Sequence, residues 1–318
     1  MKRLLFILLT WFGAQSFYAQ ESILLPYDAT TLTGEQRASN PERLAYPTGM
    51  KARIADEVNF RCNTPDYGFG PFSVSDRLQV IFSRGNLQFR ASDNTWRFAE
   101  RQWDYVGNDN GNISGEYAGW IDLFGWGSSG WEGGVNAFLP WSTSDSYTDY
   151  IAGNSPENSL QGEYANADWA VYNRIGNDAP GTWRTLSYDE WYFLLYKRHN
   201  SEKLRGFAIV GSVEGVVLLP DTWPFPERPF FSHKDFNKYS ASEWEEMELY
   251  GAVFLPAAGA RIGLEIEHYE GLYWSVTPIG DWQAYGLRFY PGEIMDITEI
   301  ERAKGCSVRP VQTYLEMH

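Results

Sequence analysis

Few side chains in this sequence have the types and spacing that chemistry needs. Its four histidines are scattered, too sparse for a metal cluster. No His-Glu-x-x-His, Cys-x-x-Cys, Gly-x-Ser-x-Gly or phosphate-loop pattern occurs. Asn108-Asp109-Asn110-Gly111-Asn112 combines oxygen ligands with a glycine turn, which suits calcium. With Gly111 in the glycine place of an EF-hand loop, Val106 falls at the first ligand position and Tyr117 at the last. The stretch therefore reads as an Asn-Gly turn. Glu265 and Glu267 share a face if their segment is a strand, and a solvated face explains the pair. The two cysteines, Cys62 and Cys306, leave two readings open: a bridge tying the start of the domain to its end, or two buried thiols. What remains is aromatic. Trp282 and Tyr285 follow a Gly-Asp turn, and exposed Trp, Tyr and Arg are the residue types that carry binding energy. Trp183, Trp191 and Trp274 sit in apolar contexts and are expected in the core.

The elements that must position these residues are short. Near the C-terminus, Gly251–Gly259, Tyr273–Ser275 with Ala284–Phe289, and Gly305–Val311 each carry an apolar run of strand length. Leu78–Phe82 and Asn86–Arg90 are two more strands, with Ser83-Arg84-Gly85 between them suited to a hairpin. Ser187-Tyr188-Asp189-Glu190 is a capping box that opens a helix with an apolar face of Trp191, Leu194 and Leu195. A second short helix is expected near Ser242 with Glu245 as its capping partner. Phe207–Val210 and Gly215–Pro220 form strands around the turn Gly211–Glu214. Residues 107–165 lack a regular period yet hold many Trp and Tyr residues, which disordered chains avoid. They read as an ordered loop pinned by its rings.

Composition narrows the class. Aromatic residues make up 17% of the 318, alongside 30 glycines, which favours short strands and loops packed by flat rings over a helical bundle. A net charge of −15 argues against a nucleic-acid backbone or an anionic membrane surface as partner. Lys2 and Arg3 followed by the apolar run Leu4–Phe12 read as a signal peptide over residues 1–19, too short to span a bilayer. No cysteine follows to accept a lipid. The expected product is extracytoplasmic, whether secreted, periplasmic or held at the cell surface, with no membrane insertion after cleavage. Residues 20–70 carry turn chemistry and little periodicity, so they read as an N-terminal arm before a domain over 71–318.

Several ordered motifs then point to a family. Trp183-Arg184-Thr185-Leu186 runs into the capped helix. Leu218-Leu219-Pro220-Asp221, Phe254-Leu255-Pro256-Ala257-Ala258-Gly259, Tyr273-Trp274-Ser275 and Gly305-Cys306-Ser307-Val308-Arg309-Pro310-Val311 follow. Over residues 72–312 the chain resembles exported bacterial proteins with a C-type-lectin-like fold. These include the Fibrobacter succinogenes major paralogous domain type, and they are akin to retroelement-diversified variable proteins and to formylglycine-generating enzymes. The resemblance implies an α+β fold of short twisted antiparallel strands with two short helices and long ordered loops. It implies that the strands with Trp274 and Val308 are scaffold. It also implies that Asp281, Trp282, Tyr285, Arg288 and Tyr290 are displayed as a ligand-binding patch for a glycan or a protein. Residues 291–304 depart from the Tyr, Asn and Ser run of diversified relatives. An enzyme of the formylglycine-generating kind needs a cysteine pair close in the fold, and Cys306 stands alone in its half. The expectation is a non-enzymatic binder without cofactor or metal. The alternatives are an enzyme on that scaffold or a structural subunit of a surface assembly.

Overall fold

A computed structural model describes residues 70–223 and 237–316. The expected signal peptide over residues 1–19, all of the expected arm but Gly70, and Cys62 lie outside them. Within them the strands are β1 (Phe72–Ser73), β2 (Leu78–Phe82), β3 (Leu87–Arg90), β4 (Thr95–Phe98), β5 (Arg205–Val210), β6 (Val213–Leu218) and β7 (Lys238–Tyr239). They continue with β8 (Val253–Pro256), β9 (Ala260–Ile262), β10 (Glu265–Glu267), β11 (Gly271–Ile279), β12 (Gln283–Tyr290), β13 (Ile294–Glu301) and β14 (Val311–Glu316). Helices are α1 (Trp169–Tyr172), α2 (Tyr188–Tyr192), which runs on into a π-turn over Phe193–Lys197, and α3 (Ala241–Leu249). The class is mixed α+β, built of small and mostly antiparallel sheets with few short helices. None of the described helices is long and apolar enough to cross a membrane.

Among the described residues five sheets order as β1-β2-β14, β3-β4, β7-β5-β6-β8, β9-β10 and β11-β12-β13. The last is the divider of the molecule. Successive strand residues point to opposite faces. One face, with Leu272, Trp274, Val276, Ala284 and Ile300, joins a core of Phe89, Trp96, Phe124, Trp126 and Trp169. The other, with Tyr273, Leu287 and Phe289, packs on Phe82, Trp191, Leu194 and Leu195. A third core lies where Val217 and Leu219 meet Trp244 and Met247 of α3. Several rings of residues 107–165 are therefore core material: Phe124, Trp126 and Tyr150 are fully buried, while Tyr147 is exposed.

Four expectations are corrected. β2 and β3 are not partners across Ser83-Arg84-Gly85. The tail of the chain runs past that corner instead, with Ser83 N donating to Pro310 O (2.8 Å) and Leu87 N to Val308 O (2.9 Å). This sends β2 to β14 and β3 to β4. Residues Gly305, Cys306 and Ser307 make single bridges to Arg261, Phe124 and Tyr273, Val308 has no ladder, and the last strand starts at Val311. Pro310, which has no N–H to donate, precedes it. The helix expected near Ser242 is capped two residues earlier, by Ser240 with Glu243. Overlapping Ser-x-x-Glu boxes compete there, and the earlier start aims Trp244 and Met247 into the core. Finally, a third short helix, α1, is capped by Asp168, which accepts from Ala170 N at 3.1 Å.

Buried polar groups tie these layers. Arg198 is buried and donates to the carbonyls of Leu194 (2.8 Å), Leu219 (2.8 Å) and Leu204 (3.1 Å). Arg309 donates to Asn86 (3.3 Å) and Gln102 (3.0 Å), and the Tyr273 hydroxyl donates to Pro256 O (2.8 Å). Close by, Glu248 accepts from Trp244 Nε1 at 2.8 Å. Burial pushes its carboxyl up to about 7. A carboxyl raised on folding adds stability below its unfolded value near 4.5, and that stability is lost as pH rises through about 7. We therefore expect Glu248→Gln, which keeps an acceptor for Trp244, to gain about 2–3 kcal/mol over wild type at pH 8. Urea melts should show the difference vanishing near pH 4. A constant difference across that range would refute the assignment.

Candidate functional site

The five residues expected to form one patch are placed in three. Asp281 and Trp282 sit at the tip of the β11–β12 hairpin, both exposed, Trp282 by 42%. The tip is held from beneath by Arg302, a residue the sequence reading passed over. Its backbone N donates to Trp282 O (3.1 Å), its Nε to Gln283 O (2.8 Å) and its Nη2 to Pro156 O (2.6 Å). The buried guanidinium also lies 4.7 Å from the centre of the Trp126 ring. Burial lowers Arg302 to about 10, while Asp281 partly restores it.

Tyr285 and Arg288 differ by an odd number of strand positions, so they project from opposite faces of β12. Arg288 pairs with Glu270 (Nε–Oε2 2.8 Å) and donates to the hydroxyl of its neighbour Tyr290. Lys304 also reaches Glu270 (3.6 Å) and Glu267 (2.9 Å). Arg288, Glu270 and Lys304 line a recess of about 210 Å³ together with Leu272 and Ile300. Glu267, one of the two carboxylates read as a solvated pair, is thus partnered.

On the other face Tyr285 meets a row of tyrosines from the capped helix. Its ring centre lies 4.3 Å from that of Tyr188. Tyr188 is 6.0 Å from Tyr192, which is 5.3 Å from Tyr196. All four rings are partly or well exposed. Lys197 lies 5.4 Å from the Tyr192 ring centre and Arg205 lies 4.5 Å from that of Tyr196, so cations flank the row. The Tyr196 hydroxyl donates to Asp296 at 3.0 Å. Burial, then the bond to Asp296, pushes that phenol up to about 12, so it stays a donor at neutral pH. Tyr188, Tyr192 and Tyr196 recur every four residues, the spacing that aligns side chains on one helix face. That signal stood in the sequence beside the apolar face of Trp191, Leu194 and Leu195.

The remaining candidates are structural. Cys306 is fully buried and has no disulfide partner among the described residues, and burial holds its thiol well above its ordinary range. Cys62, its partner in one of the two open readings, lies outside the described residues. In the Asn-Gly turn, Asn110 is buried and exchanges hydrogen bonds with Asp122, its Nδ2 to Oδ1 (2.9 Å) and its Oδ1 from Asp122 N (2.9 Å). No group of three His, Cys, Asp or Glu side chains among the described residues is placed to hold a metal. Compared with protein-family models, with curated proteins and with solved structures, the chain matches none.

Proposed function

We propose that this chain is an exported, non-enzymatic ligand-binding protein with a C-type-lectin-like fold. Its contact surface is the tyrosine row that Tyr285 shares with the capped helix. One observation carries the reading: four tyrosines lie ring to ring, stacked or tilted, across a strand and a helix, with Lys197, Arg205 and Asp296 at their border. Tyrosine offers large contact area at low entropic cost, and aromatic anchors rimmed by charge are what interfaces use. Of the two ligand classes expected from the sequence, a protein suits a long row of rings bordered by Lys197, Arg205 and Asp296 better than a glycan. The signal-like residues Lys2 to Phe12 support export. The buried Cys306 supports a binder over an enzyme of the formylglycine-generating kind, since a thiol must be reached and ionised to react.

The test is a screen of the mature chain against purified-protein and glycan arrays. Tyr192→Ala with Tyr285→Ala is expected to weaken the best protein hit at least tenfold, with the melting transition unchanged. Equal binding by the double variant overturns the row as the contact surface.

A further inference from the structure

A second surface is built differently. The outward face of the β3–β4 hairpin, with Gln88, Arg90 and Arg97, stands opposite two loop segments, 104–109 and 117–120. Between them is a groove of about 460 Å³, within the ~300–1,000 Å³ of small-molecule sites. Its rings are Trp120, Tyr117 and Tyr105, the last 40% exposed. The Arg97 guanidinium lies 3.9 Å and that of Arg90 4.5 Å from the Trp120 ring centre. Arg97 is aimed by Gln88, donating from Nε to Oε1 at 2.9 Å. Glu100, Asp104 and Asp109 supply carboxylates to the same lining.

We propose that this groove binds a neutral sugar, one or a few pyranose rings of an oligosaccharide, apart from the tyrosine row. The charges select against other ligands. An anion would face Glu100, Asp104 and Asp109. A cation drawn to the Trp120 face would meet two guanidiniums already there. A neutral polyol avoids both penalties, because its hydroxyls accept from Arg97 and donate to the carboxylates while its C–H face lies on a ring.

The groove is also held in shape before any ligand arrives. Asp122, fully buried, accepts from Val106 N (2.8 Å) and from Asn110, fixing the 105–110 wall. Phe89 and Ile121 exchange backbone bonds of 2.9 Å each, and Ser92 N donates to Tyr117 O (3.0 Å), fixing the other wall to β3. A wall fixed in advance lowers the entropic cost of binding.

Titration of the full mature chain with cello-, malto-, manno-, xylo- and chito-oligosaccharides, followed by tryptophan fluorescence and calorimetry, tests this. At least one neutral saccharide is expected to bind with a millimolar or tighter Kd. Tyr105→Ala and Asp104→Asn should each weaken it at least fivefold with unchanged melting, and Tyr192→Ala should leave it unaltered. The proposal is overturned if no neutral saccharide binds, if only uronic-acid or amino-sugar oligomers do, or if Tyr105→Ala has no effect. Loss on Tyr192→Ala instead would move sugar binding to the tyrosine row. That result would also correct the preference for a protein ligand there, whereas a silent groove leaves the row untouched.

Discussion

Trp274→Ala is expected to remove most of the stability of this protein. The indole is 1% exposed and sits on the strand that separates two cores. Its Nε1 donates to Phe124 O at 2.7 Å, and its own carbonyl accepts from Trp191 Nε1 at 3.4 Å. Truncation leaves a cavity among Phe124, Trp126 and Ile300 that rigid neighbouring rings cannot collapse to fill. Large aromatic-to-alanine changes in cores cost about 3–5 kcal/mol. The Phe124 carbonyl keeps its bond from Cys306 N (3.0 Å), and the lost second bond adds about 0.5–1.5 kcal/mol. Against a total of ~5–15 kcal/mol, the variant should be unfolded or nearly so at 37 °C. Urea melts read by circular dichroism check this, and a loss under about 2 kcal/mol would mean that the loop core is far softer than its packing shows.

Gly259→Ala should cost about 4 kcal/mol from a single methyl group. Two independent penalties meet at this position. Its φ of +82° is one that L side chains rarely adopt. A Cβ there would also come within 2.0 Å of Glu267 O. That oxygen belongs to β10, which is locked to β9, and Gly259 N itself donates to Glu270 O at 2.8 Å. The backbone on neither side can retreat without breaking a ladder. Gly211 provides the control. Its φ is +62°, but nothing lies within 4 Å of the added methyl, so Gly211→Ala should lose only the ~1–2 kcal/mol of the left-handed conformation. Similar melting points for the two variants would show that the strand pair yields.

The features that could be read in advance are those decided by neighbours in sequence. The Ser187–Glu190 box has both its reciprocal bonds, Ser187 N to Glu190 Oε2 at 2.8 Å and Glu190 N to Ser187 Oγ at 3.2 Å. Leu78–Phe82 announced itself by composition. The exposure of Trp282 followed from the Gly-Asp turn before it. Partnership between strands is decided elsewhere, and so the corner at Ser83 misled: whether β2 turns back on β3 depends on a segment more than 200 residues later. β13 was hidden, since Ile294, Ile297 and Ile300 recur every three residues, which is not the two-residue period of a strand. The split of Tyr285 from Arg288 needed only the parity of a strand. The groove around Trp120 was out of reach, because three separated segments converge on it through a buried Asp122 whose burial no local pattern signals.

The closing segment has one more implication. Residues 305–311 touch Arg261, Phe124, Leu272, Leu87, Ser83 and Arg184 through backbone bonds, and β14 then completes the sheet of β2. Every one of those partners leaves the ribosome earlier. A nascent polypeptide of this design holds unfinished seams until its closing residues emerge, and contacts of such long sequence separation form slowly.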